Sequence, residues 1–106
     1  MKTLKLTAWD RLMLSRCLPQ SGPLAQIAVY LRILEALRLK EDERAAVGWQ
    51  ENPDAGTITF QNPTHEFDVA LEDGDLAILI QLANQWQGWP LAPESLALQA
   101  KLQTAG

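Results

Sequence analysis

The chain has 106 residues, 47% of them hydrophobic, with four tryptophans and a formal net charge of −4. That is one domain, residues 1–106, with apolar material enough for a core that needs no metal or disulfide staple. The single cysteine excludes an internal disulfide framework. No stretch approaches the roughly 18 uninterrupted apolar residues of a membrane span, and Asp10 and Arg11 break the opening "MKTLKLTAWDRLML" before it reads as a signal peptide. A cytoplasmic protein without a membrane partner is expected.

Along the chain, "KTLKL" alternates polar and apolar residues, as a short strand or an ordered lead-in does. Thr7 followed by Asp10 resembles a capping box and opens a helix over 8–18. Its face is Trp9, Leu12, Met13 and Cys17, and Pro19 stops it. "SGPLAQIAVYLRILEALRL" is the clearest helix, 23–39, with Pro23 in its first turn. Leu24, Ile27, Ala28, Leu31 and Leu34 form one stripe, and Tyr30, Ile33 and Leu37 widen it. A helix this apolar belongs at the centre of the core. "KEDERAAV" adds a short helical turn, its three acids suiting the positive end of the dipole.

Strands are expected at 47–51, 57–61 and 66–71, separated by the turns "ENPDA" and "NPTH". In the third, Phe67, Val69 and Leu71 face one side and Glu66, Asp68 and Ala70 the other. Asp73 or Asp75 is expected to cap a helix over 74–87, buried through Leu76, Leu79, Ile80, Ala83 and Trp86. Gly88 supplies the left-handed residue after it, and Trp89 folds back on the last turn. A last helix, 93–103, precedes a frayed "TAG". The expected fold is α+β: helices packed on one face of a three-stranded antiparallel meander, with Leu31, Leu34, Phe60, Val69, Leu79 and Ile80 nearly inaccessible.

The acid-rich stretch "FDVALEDGD" beside His65 invites a metal or catalytic reading. It has one histidine, no partner cysteine nearby and no calcium-loop spacing. Strand alternation and helix-end acids account for its residues instead. Cys17 lies on an apolar helical stripe, as core cysteines do. No glycine loop cradles phosphate and no serine stands in a nucleophile elbow. No catalytic residue, metal ligand or cofactor is assigned, and an enzyme is not expected.

Residues 1–50 carry eight Lys/Arg and five Asp/Glu, whereas residues 51–106 carry Lys101 against eight acids. This asymmetry is expected to place the two halves against each other. The first two long helices compare with a helix-turn-helix, but the second offers few polar side chains for base edges, and the acidic pI lacks the footprint of a nucleic-acid binder.

The segment "LTAWDRLMLSRCLPQSGPLAQIAVYLRILEALRLKEDERAAVGW" resembles the opening of small proteins encoded in phages and prophages. "TITF", "EFDVAL" and "LAILIQLANQW" resemble their later hairpin and helix. Lys40 is a departure, standing where such sequences carry a capping Ser or Thr. The resemblance implies a phage or mobile-element origin and supplies no catalytic residue. The resulting expectation is an accessory or assembly protein that binds another protein through a polar sheet face: Gln50, Thr57, Thr59, Gln61, Glu66 and Asp68, with Trp89 as a partly exposed aromatic. The alternatives are a nucleic-acid-associated regulator using the basic N-terminal helices, and a small-ligand protein or enzyme with a pocket near His65 and Trp89.

Overall fold

A computed structural model describes all residues except Pro63 and Gly106. The expected "NPTH" turn and frayed "TAG" end therefore lie partly outside the described residues; Thr104 and Ala105, which are described, continue the last helix rather than fray. The elements run β1 (Lys2–Thr7), α1 (Ala8–Cys17), α2 (Leu24–Leu37), α3 (Glu41–Val47), β2 (Gln50–Asn52), β3 (Thr57–Thr59), β4 (Glu66–Leu71), α4 (Asp73–Gln85) and α5 (Pro93–Ala105). The α+β class holds. The three-stranded meander does not: β2 and β3 form a separate hairpin, and β4 pairs with β1.

The β1–β4 register explains that choice. Leu4 stands opposite Val69 and Leu6 opposite Phe67, so the apolar residues of both strands share one face. On the other face Lys5 meets Asp68 at 3.1 Å. β3 offers three ladder residues to any partner, whereas β1 offers six. β2 begins at Gln50, because Val47 ends α3 rather than starting a strand. There Gly48 takes the left-handed conformation (φ 66°), and the Trp49 N–H reaches back to the Arg44 carbonyl at 3.0 Å. Together with the Gly48 N–H bond to Ala45, this is a Schellman ending.

Other helix ends follow similar local chemistry. Thr7 Oγ1 accepts the Asp10 N–H at 3.1 Å, and Asp10 Oδ2 accepts the Thr7 N–H at 3.0 Å, so the capping box forms despite the short acid. At α3, Lys40 supplies no hydroxyl, but Glu43 Oε1 accepts the Lys40 N–H at 3.0 Å. Two expectations at α4 fail. Glu72, not Asp73 or Asp75, holds the cap position. Gly88 is not left-handed, and α4 ends instead on Trp86 in an extended conformation.

The main core joins Leu4 and Leu6 from β1, Leu14 and Cys17 from α1, Ile33 and Leu37 from α2, Val69 and Leu71 from β4, Leu76 and Leu79 from α4, and Leu98 and Leu102 from α5. A smaller cluster of Ala8, Leu39 and Val47 packs with Trp49, Phe60 and Phe67 beside α3 and the hairpin. Val69 and Leu79 are buried as expected, while Phe60 and Ile80 are only half-buried. Leu31 and Leu34 are exposed, at 59% and 42%. The sequence offers α2 two apolar stripes, and the one carrying Ile33 and Leu37 faces inward.

Arg11 sets that rotation. Its guanidinium is almost fully buried and donates to the Leu37 carbonyl at 2.9 Å, to the Arg38 carbonyl, and to Glu43 Oε2 at 2.8 Å. It lies 5.6 Å from the centroid of the Phe67 ring. One side chain of α1 thereby satisfies carbonyls left open at the end of α2, pairs α3 and covers an aromatic of β4.

Two stability measurements check this packing. Leu37→Ala is expected to cost about 2–5 kcal/mol, because it leaves a cavity, whereas Leu31→Ala is expected to cost under about 1 kcal/mol as a surface change; denaturant melts that reverse this order place α2 the other way round. Arg11→Lys keeps the charge but loses the fork and leaves carbonyls unpaired, so a loss on the order of 3–5 kcal/mol is expected. A melt within about 0.5 kcal/mol of the parent shows that the guanidinium is not the clamp.

Candidate interaction surface

Only three of the 14 residues of α2 are polar: Gln26, Arg32 and Glu35. Ile33 and Leu37 enter the core, Val29, Tyr30 and Ala36 pack partly against it, and the opposite side is left uncovered. Leu24 is 90% exposed, Leu31 follows two turns later, and Ile27 and Leu34 flank them. Between this side and α1 runs a cleft of about 340 Å³ whose walls include Leu18, Pro19, Ile27, Tyr30, Leu31 and Leu34. A second hollow of about 260 Å³, reaching Leu12, Leu39 and Trp49, shares Ser15 and Leu34 with it. The result is an apolar strip along α2 from Ile27 to Leu34, floored by the end of α1 and the loop after it, with Leu24 exposed beyond it. Such patches on soluble proteins mark places where another surface docks.

The strip was misassigned from the sequence because its residues read as core. The polar residues chosen as an interaction face lie elsewhere and do not form one surface by strand pairing. Gln50, Thr57, Thr59 and Gln61 are exposed on or beside the hairpin, with Gln50 directly opposite Thr59. Glu66 and Asp68 belong to the other sheet, where Asp68 pairs with Lys5 and Glu66 with Lys101 at 2.9 Å. Trp89 is half-buried and donates its indole N–H to the Ala83 carbonyl at 2.8 Å, closing the end of α4. Its ring meets Trp86 edge-on at 5.0 Å. Beside it, Ile80, Asn84, Leu98 and Gln99 help line a cleft of about 290 Å³ between α4 and α5.

The other chemical candidates, His65 and Cys17, sit in different surroundings. His65 is exposed and edge-on to Phe67 at 4.7 Å. Cys17 is buried, its thiol donates to the Met13 carbonyl, and burial pushes its pKa up to about 12. A nucleophile requires the opposite shift. Among the described residues, no group of three His, Cys, Asp or Glu side chains is placed to hold a metal ion. No helix among them is long and apolar enough to cross a membrane.

Charge ties the strip's own helix to the rest of the molecule. Arg32 grips the buried Asp75 with two bonds of 2.6 and 2.7 Å, so it does not stand free for phosphate. Its hydrogen bond holds the Asp75 carboxyl below the usual carboxylate range, against the opposing effect of burial. Glu43 is raised by burial, but bonds from Arg11 and the Lys40 N–H outweigh that and leave it lowered. Lys101 bridges Asp10 at 2.8 Å and Glu66. Burial alone lowers its pKa; the two carboxylates reverse the sign.

The chain matches no protein-family model, no curated protein and no solved structure.

The Asp75 bond has a pH signature. A depressed carboxyl contributes stability above its unfolded pKa of about 3.9, and that contribution is lost as pH falls through the lower folded value. Asp75→Asn is therefore expected to lie furthest below the parent in stability near neutral pH, with the gap narrowing below about pH 4. Urea melts at pH 7, 5 and 3 measure it, and a gap that widens toward pH 3 contradicts the bonded pair.

Proposed function

We propose that the protein acts by binding another protein, and that the binding surface is the uncovered side of α2 with its α1 floor. The observation that carries this reading is the exposure of Leu24, Leu31 and Leu34 on one side of a helix that is apolar nearly all round. Such a helix is stable in water when both sides are covered. The partner chemistry that fits is an apolar helix lying along α2, since the strip from Leu24 to Leu34, about 15 Å long, matches a partner of three turns. The polar residues of the two small sheets are then solvated surface rather than the contact. The resemblance of the sequence to small phage and prophage proteins supports an accessory or assembly role, performed without catalysis or cofactor.

A photo-crosslinking side chain placed at position 24, 31 or 59 in the full chain tests the assignment in its native cells. Adducts are expected from 24 and 31, none from 59, and loss of the adducts when Leu34→Asp is added. Adducts chiefly from position 59, or adducts indifferent to Leu34→Asp, return the contact to the hairpin.

A further inference from the structure

We infer that the partner helix is the α2 of a second copy of this chain, packed antiparallel about a two-fold axis. The inference rests on the binding surface proposed above and names its occupant.

The spacing on α2 is the first argument. Leu24, Ile27, Leu31 and Leu34 are separated by three, four and three residues, the seam spacing of paired helices. In an antiparallel pair, one register matches all four: Leu24 lies across from the second copy's Leu34, and Ile27 across from the second copy's Leu31. Each copy then contributes the same residues to the same layers, as an isologous contact requires. A shift of one turn leaves a leucine at each end without a counterpart, so the register is chosen by the seam itself.

Charge is the second argument. Only residues close to the two-fold axis meet their own image, and a like charge there is repelled. The axis of this register falls near residue 29, between Ala28 and Tyr30, which are uncharged. Arg32 comes across from the second copy's Gln26, and Glu35 from the second copy's Pro23, so neither charge meets its own kind. Arg32 is already bonded to Asp75, and Arg38 pairs with Glu35 at 3.8 Å. An acidic or basic partner finds its counter-charges along this strip already engaged, whereas an interface depleted of free charge is the composition of homodimer contacts.

Area bounds the contact. The seam from Leu24 to Leu34, roughly 15 Å long and ~10 Å wide, covers on the order of 150 Å² in projection, and Leu12 of α1 and Pro19 after it widen it. Even with corrugation by the leucine side chains, the total for two copies stays below the roughly 1,200 Å² of stable specific interfaces, in the range of weak, transient contacts. A weak dimer in exchange with monomer, populated toward the submillimolar end of concentration, is the expected state.

Sedimentation velocity of the full chain across low micromolar to submillimolar concentration reads this directly. The expected result is a concentration-dependent shift from one copy to two. Leu31→Asp and Leu24→Asp are expected to weaken dimerisation at least 100-fold while circular dichroism and melting stay close to the parent, since both side chains are exposed. Leu96→Asp, at a comparably exposed site on α5 (69%), is expected to leave it unchanged. A chain that stays monomeric throughout overturns the inference; if the position-31 crosslink then carries the mass of a different protein, the α2 surface survives with another occupant. A dimer that persists in Leu31→Asp and fails in Leu96→Asp overturns the α2 contact and places the interface on α5.

Discussion

The fold turns on what Arg11 does at the end of α2. A helix leaves its last carbonyls without partners, and a helix end near the core cannot leave that work to water. Here the carbonyls of Leu37 and Arg38 both accept from the Arg11 guanidinium, which also holds Glu43 and covers Phe67. Four elements are registered by a single buried cation whose neighbours satisfy its donors. The cost of burying such a charge is large, and it is offset only when the geometry is good. The same bonds fix the rotation of α2 about its own axis, because the C-terminal carbonyls point in set directions once the helix is formed. With Leu37 turned toward α1 and the core, Ile33 follows one turn earlier, and Leu31 and Leu24 are carried to the outside.

The charge asymmetry along the sequence has a related outcome. The basic first half and the acidic second half meet through Lys5–Asp68, Arg32–Asp75, Arg44–Glu51 and Lys101–Asp10. Exposed pairs such as Lys5–Asp68 add little stability. The partly buried ones matter for specificity: Lys101 ties α5 to the start of α1 and to β4, and Asp75 ties α4 to the middle of α2. Lys5, Arg32 and Arg44 are thereby engaged, although read from the sequence they were available for nucleic acid. Arg11 and Arg38 instead pair with Glu43 and Glu35 inside the basic half itself.

Local signals were legible where one residue's chemistry decides one feature. Thr7 with Asp10, Pro19 after α1, the alternation of 66–71 and the return of Trp89 over α4 all depend on neighbours a few positions away. Pairing was not legible in the same way. β4 presents the same alternating face to β1 and to β3, and only the relative length and apolar content of "KTLKLT" against "TIT" tips the choice. Asp75 was read as a cap because acids favour helix starts; its actual partner, Arg32, is 43 positions away, and no local pattern announces it. Arg11 was read only as a break in an apolar run, although an arginine inside the buried side of a helix demands acceptors.

The misreading of α2 is the most instructive because the sequence was apolar enough to support both answers. Periodicity identifies a face by contrast with a polar one, and α2 has almost no polar face to supply the contrast. Leu24, Ile27, Leu31 and Leu34 and the set Val29, Tyr30, Ile33 and Leu37 are equally good stripes. Ile33 and Leu37 lie where Arg11 and the sheet can cover them; no described segment of the chain covers Leu24. A helix with so little polar surface in a chain of this size therefore states a requirement that exceeds one copy's own core: two layers must pack on it, and one copy supplies one. The second layer has to present apolar side chains at three- and four-residue spacing without free charge. That specification describes α2 itself.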